Sequence, residues 1–205
     1  MNAAYRPEFV YFDLGNVLVN FDHAIAVRQV AEMTGVSTDK VRHLLFDSGL
    51  QDKYETGLVS SSEFVVQVER AFNMPLDKEK VLDAISSIFH PNLEILEPLR
   101  WLRDRGFRLG VLSNTCEAHW QWVKRQQYPV LDGWFELDVL SFEVGAMKPS
   151  PVIYEKAAEI AGVPPSSIFF TDDRADNIAA ASDAGWTVFQ FTNAKQLQLQ
   201  FLKWS

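Results

Sequence analysis

The stretch from Phe9 to Asn20 constrains the fold more than any other: Phe-Val-Tyr-Phe-Asp-Leu-Gly-Asn-Val-Leu-Val-Asn. Phe9, Val10, Tyr11 and Phe12 form an apolar, aromatic and β-branched run, the pattern of a strand buried on both faces of a parallel sheet. The run ends in a carboxylate. Asp13 is followed by Gly15 and Asn16, turn residues that leave its side chain where the strand emerges. In open α/β sheets that edge is where ligands bind. Taken alone, an Asp at this place serves equally well as a turn cap.

After this strand the periodicity becomes helical. Ile25, Ala26, Val30 and Met33 predict a helix from Asp22 to Thr34 that stops at Gly35. Ser37 caps a second helix carrying Val41, Leu44 and Leu45. Ser60 and Glu63 have the spacing of a capping box ahead of Phe64, Val65 and Val68. Asp77 opens a further helix through Val81, Leu82, Ile85 and Ile88. No strand is expected between Asp22 and Pro91, so residues 21–91 read as a helical bundle inserted after the first strand.

From Leu93 onward helices alternate with short apolar runs. The expected helices are Leu93 to Arg105, Glu117 to Gln126, a helix opened by Pro151 and ending at Ala161, and Ala175 to Ala184. The expected strands are Phe107 to Leu112, Phe135 to Leu140, Ser167 to Thr171 and Trp186 to Phe191. Alternation of this kind implies right-handed crossovers and a mostly parallel sheet. The fold class is therefore α/β: a Rossmann-like, five-stranded parallel sheet with helices on both faces, formed by residues 1–20 and 92–205.

A formal net charge of −8 argues against a nucleic-acid surface, which needs clustered Lys and Arg. No apolar run reaches membrane-spanning length and the N-terminus lacks the apolar core of a signal peptide, so a cytoplasmic location is expected. Cys116 is the only cysteine, so no intrachain disulfide can form. Six tryptophans, Trp134 and Trp204 among them, suit a core or an interface equally, and oligomeric state is not legible.

Chemically useful groups recur at the ends of the predicted strands: Asp13, Ser113 with Asn114, Lys148 just before a helix, and Asp172 with Asp173. In a parallel sheet these ends share one edge, so distant residues can converge there. Two or three carboxylates with a backbone carbonyl make a hard-oxygen set suited to Mg2+, which keeps company with phosphates. A lysine, a hydroxyl and an amide supply donors for phosphate oxygens. Asp13 could then attack phosphorus, splitting one hard hydrolysis into two easier steps.

These motifs, in this order, resemble those of the haloacid dehalogenase-like hydrolase superfamily: Asp13-Leu14-Gly15-Asn16-Val17, Leu112-Ser113-Asn114-Thr115, Gly145-Ala146-Met147-Lys148-Pro149 and Phe170-Thr171-Asp172-Asp173-Arg174-Ala175-Asp176-Asn177. The likeness runs nearest to bacterial sugar-phosphate phosphatases, the α-glucose-1-phosphate type included. It implies a Mg2+-dependent phosphomonoester hydrolase acting on a small phosphorylated metabolite, with the helical insertion as a cap. Asp13 would be nucleophile and metal ligand, the Gly15 carbonyl a second ligand and Asp173 a third, with Asp172 bound through water or exchanging roles with it. Ser113 and Asn114 would hold the phosphate, and Lys148 would neutralise its charge and that of Asp13.

One position departs from the pattern. Most phosphatases of the superfamily carry an acid–base Asp two residues after the nucleophile, where this chain has Gly15. Losing general acid–base help costs roughly 100- to 10,000-fold in rate. Easily expelled leaving groups, such as the anomeric oxygen of a sugar 1-phosphate, suffer least and are the expected substrates. Asp22, His23 and His119 are candidate substitutes, and Tyr54 and Glu55 could reach the site from the insertion. Gly15 also keeps two other readings open, a haloacid dehalogenase and a catalytically weak phosphate-binding sensor. The paired Asp172 and Asp173 speak against the dehalogenase, which needs no metal.

Overall fold

The computed structural model describes residues 6–204. Its core is a five-stranded parallel sheet in the order β5-β4-β1-β6-β7, built from β1 (Phe9–Phe12), β4 (Arg108–Ser113), β5 (Leu137–Leu140), β6 (Ile168–Asp172) and β7 (Thr187–Gln190). Strand β1 is central, and alternation along it feeds two cores. Phe9 and Tyr11 pack with Leu112, Phe170 and Trp186 under α9 (Pro151–Ala161) and α10 (Ala175–Asp183). Val10 and Phe12 pack with Val111, Phe169 and Leu99 under α6 (Leu96–Arg103) and α11 (Ala194–Phe201). Trp204 joins this second core, its ring edge-on to Phe169 at 4.7 Å.

Between β1 and α6 lie the helices α1 (His23–Thr34), α2 (Thr38–Arg42), α3 (Leu50–Glu55), α4 (Ser61–Phe72) and α5 (Lys78–Ser86). Their ends follow local chemistry. Asp22 caps α1 by accepting from the Ala24 N–H at 2.8 Å, and Gly35 ends it in the left-handed region. Ser60 and Glu63 form the expected capping box on α4, and Asp77 caps α5. Ser37 occupies the N-cap of α2, but its side chain makes no capping bond.

The expectation of a strand-free insertion is corrected. Val19–Phe21 (β2) and Phe89–Pro91 (β3) pair antiparallel where the chain leaves and re-enters the core. A pairing of partners this far apart in sequence leaves no local periodic signal in a run of three residues. Asn92 closes this hinge by donating from Nδ2 to the Val17 carbonyl at 2.8 Å. The expected helix from Leu93 begins as a 3-10 turn over Leu93–Ile95, β5 starts at Leu137 rather than Phe135, and three helices lie outside the expected set: α3, which holds Tyr54 and Glu55 where a loop is expected, α8 (Ser141–Val144) and α11. Helix α7 (Glu117–Arg125) follows β4 as expected. No helix among the described residues is long and apolar enough to cross a membrane.

Candidate active site

The carboxyl edge of the sheet brings the predicted groups together. Lys148 is 4% exposed, and its ammonium donates to Asp13 Oδ1 at 2.8 Å, Asp172 Oδ2 at 2.6 Å and the Leu112 carbonyl at 2.9 Å. All three of its hydrogens are thereby used, so it acts on an incoming anion through charge rather than through a further bond. The cis peptide between Lys148 and Pro149 lies at this turn. Asn114 grips the backbone of Lys148 from both sides: its Oδ1 accepts from the Lys148 N–H at 2.7 Å, and its Nδ2 donates to the Lys148 carbonyl at 2.8 Å. A phosphate would meet only the second hydrogen of that amide.

The two adjacent carboxylates differ. Asp172 is fully buried; Asn177 Nδ2 reaches both its oxygens at 3.0 Å, and the Arg174 N–H adds a bond to Oδ1 at 2.8 Å. With Lys148 on Oδ2, each of its oxygens carries two hydrogen bonds. Among the described residues the Asp173 carboxylate receives a single bond, from Asn16 Nδ2 to Oδ2 at 3.0 Å. Asn16 makes this reach from a left-handed backbone (φ 55°), a conformation asparagine tolerates better than most residues.

Asp13, Asp172 and Asp173 offer oxygens all within 4.8 Å of one another. Three clustered carboxylates, two of them bonded to the one ammonium, leave a surplus of negative charge at a largely buried place. Burial pushes the Asp13 carboxyl up to about 7; the Lys148 ammonium opposes this, and Asp172 and Asp173 add to it. Burial alone would lower the Lys148 ammonium, but Asp13 and Asp172 reverse the balance and hold it above its ordinary value. Such a set calls for a cation.

Above these groups opens a cavity of about 410 Å3, lined on the core side by Asp13, Gly15, Asn114, Lys148, Asp173 and Arg174 and on the insertion side by Phe21, His23, Phe46, Gln51, Asp52 and Glu55. Gly15 lets the Phe21 ring come close: a Cβ at this residue would lie 2.7 Å from Phe21 Cε1, so a side chain there would require the ring to move. The family profile of the haloacid dehalogenase-like hydrolases matches residues 9–185, which carry every one of these strand-end groups. The chain belongs to that family.

Among similar members of the family is the D-ribitol-5-phosphate phosphatase of Bacteroides thetaiotaomicron, 26% identical over 189 residues that cover 90% of this chain and 91% of the relative. A crystal structure of a haloacid dehalogenase family enzyme from the same organism superposes with a TM-score of 0.83 at 25% identity, covering 96% of this chain and 98% of that one. Its complex with magnesium and inorganic phosphate gives 0.79 at 25% identity, covering 91% and 95%.

In this hydrolase Ser113 is buried and is not among the residues lining the cavity, its hydroxyl turned to the Asn114 carbonyl at 3.2 Å. Of the proposed acid–base substitutes only His23 lines the cavity, and of Tyr54 and Glu55, the two residues expected to reach the site from the insertion, only Glu55 does. Asp22 is spent on the α1 cap. His119 is buried against Phe89 and bonded to the Ile85 carbonyl at 3.2 Å. Tyr54 points into the insertion, where its hydroxyl meets Ser61 Oγ at 2.7 Å and accepts from the Ala118 N–H. Asn16, Asn177, Arg174, Phe46 and Gln51 were not singled out from the sequence. Asn16 and Asn177 lie inside motifs already quoted, whereas Gln51 carries only a weak signal, its four-residue spacing from Glu55.

Proposed function

We propose that this hydrolase is a Mg2+-dependent phosphomonoesterase working through an aspartyl-phosphate on Asp13, and that its substrate is a small polyol or sugar phosphate. The observation that carries the reading is the cluster of Asp13, Asp172 and Asp173 around the buried Lys148 ammonium at the sheet edge. Asp13 Oδ1 is held by Lys148 and by the Leu14 N–H at 2.7 Å, while Oδ2 takes no hydrogen bond among the described residues and is the oxygen that attacks phosphorus or meets a cation.

The donor set fits Mg2+: hard carboxylate oxygens, a surplus of negative charge, and ligands incomplete without it. Asp13, the Gly15 carbonyl and Asp173 would hold the ion, since one Asp173 oxygen is uncommitted; Asp172, with both oxygens doubly bonded, would act from behind or through water. When bound, Mg2+ would neutralise the phosphate and polarise its oxygens. Ser113 and the remaining Asn114 hydrogen would orient the phosphate, and Lys148 would lower the cost of bringing it beside Asp13. Residues 21–91 would serve as the cap over a core of 1–20 and 92–205, excluding water from the reacting atoms. The substrate class is supported by the ribitol phosphate phosphatase among its relatives and by the wall of Phe21, Phe46 and Gln51, which offers ring faces to C–H groups and an amide to hydroxyls.

Phosphate release from p-nitrophenyl phosphate and a panel including ribitol 5-phosphate and sugar 1-phosphates, with and without Mg2+, tests this reading. Release is expected only with Mg2+ and is expected to vanish in Asp13→Asn. No release from any ester, with Mg2+ still raising the melting temperature, would favour the phosphate-binding sensor that Gly15 also suits.

A further inference from the structure

Resting on that reading, we propose that Glu55, from the insertion, is the proton donor to the leaving group and the proton acceptor for water at this site, the role that Gly15 cannot fill. The Phe21 ring stands where a side chain at residue 15 would begin, so the space of an acid at that residue is occupied by the ring. A proton must come from another direction, and the wall of the cavity opposite Asp13 is where a leaving group would lie.

Glu55 lines that wall, and its position relative to the core is fixed. Its backbone carbonyl accepts from Ser141 Oγ at 2.6 Å, and the same hydroxyl accepts from the Thr115 N–H at 2.9 Å. Ser141 is fully buried, and Thr115 directly follows Asn114, which grips Lys148. Two residues on, Gly57 packs so closely that any Cβ would collide with the Phe142 carbonyl oxygen. One hydroxyl thus ties the end of α3 to the loop that positions the lysine. The Glu55 carboxyl is itself aimed by Gln51, whose Nε2 donates to Oε1 at 2.7 Å.

The surroundings separate Glu55 from its neighbours. Burial raises its carboxyl above the ordinary range, with the Gln51 bond opposing and Asp52 reinforcing the rise. The other charged or titratable groups around it are His23 on α1, the Cys116 thiol after β4, and Asp13, Lys148, Asp173 and Arg174 across the cavity. His23 stacks on Phe46 at 4.6 Å, and burial holds its ring below the usual range, which disfavours the protonated form a proton donor needs. Asp52 is exposed.

In the first step the phosphorus–ester oxygen bond breaks as Asp13 Oδ2 bonds to phosphorus, and the Glu55 carboxyl proton passes to the departing oxygen. In the second, water attacks phosphorus, the phosphorus–Asp13 bond breaks, and Glu55 takes the proton of the water. Phosphate leaves, with both carboxyls restored. With an acid in place, alkyl polyol phosphates come within reach as well as anomeric ones.

The test compares the parent, Glu55→Gln and Glu55→Asp across substituted phenyl phosphates in Mg2+. Glu55→Gln is expected to lose about 100- to 10,000-fold on phenyl phosphate. The dependence of its rate on leaving-group pKa should steepen. On p-nitrophenyl phosphate it should release one equivalent of nitrophenol in a burst before slow turnover, because water now lacks its base. Glu55→Asp should fall between the two, and all three should melt alike. An unchanged slope with no burst, or equal losses on every ester, would overturn the role of Glu55 while leaving the phosphatase intact. Absence of Mg2+-dependent release by the parent would overturn both readings.

Discussion

The two walls of the cavity are built on opposite terms. On the core side the groups around the lysine are heavily committed: Lys148 uses three hydrogens, Asp172 accepts four bonds, and Asn114 spends both ends of its amide on one backbone. On the insertion side His23 and Phe46 stack, Gln51 holds Glu55, and Asp52 is exposed. A saturated, buried network is rigid and intolerant of change, because removing one member strands the others without water. A wall of stacked rings and singly bonded side chains tolerates exchange. On the proposed reading, the chemistry would therefore sit where substitution is most damaging, and the recognition of a particular leaving group where it is cheapest.

Lys148→Met is the sharpest way to break this contrast. It leaves Asp13 and Asp172 facing one another without their cation, and about 3–5 kcal/mol of stability should be lost together with all turnover. Chemical denaturation with and without Mg2+ measures it; a variant as stable as the parent without Mg2+ would show that the core wall is not the coupled network described.

A smaller effect comes from the seam between the walls. Burial, with help from His23 and against the Ile85 carbonyl bond, pushes the His119 imidazole from its ordinary 6.5 down to about 4. Between those values the unfolded chain binds a proton that the folded chain refuses. The stability this neutral ring contributes is thus present above pH 6.5 and lost as pH falls towards 4, by about 3 kcal/mol. Relative to the parent, His119→Phe should lose that slope, read from denaturation midpoints at pH 7, 5.5 and 4.

The smallest change lies on the far side of the insertion. Ser60→Ala removes the capping box of α4 and should cost about 1 kcal/mol with kcat unchanged, since α4 contributes nothing to the cavity. A fall in kcat would mean that the insertion wall depends on its own helical scaffold as tightly as the core wall does on its lysine.

Local chemistry made much of this legible. The buried run before Asp13, the Ser60–Glu63 box, the Asp77 cap and Pro151 at a helix start each carry their structural meaning within a few residues of sequence. The strand-end groups were legible for the same reason, because a parallel alternation sends every strand end to one edge. What was not legible depended on partners far along the chain. The β2–β3 ribbon exists only because residues 19–21 and 89–91 meet, and Trp204 is placed by the distant rings of Phe107 and Phe169 together with that of Phe201.

The sequence by itself determined the fold class, the family and the strand-end groups that meet at the sheet edge, because periodicity, capping and turn chemistry are short-range. Only the tertiary structure decided what each group has left to offer. It distinguished a saturated Asp172 from an open Asp173, spent Asn114 on Lys148, filled the space at Gly15 with Phe21, and pinned Glu55 through Ser141. Those are questions of which hydrogen bonds and which volume are already taken, and they are answered by neighbours that the order of residues does not name.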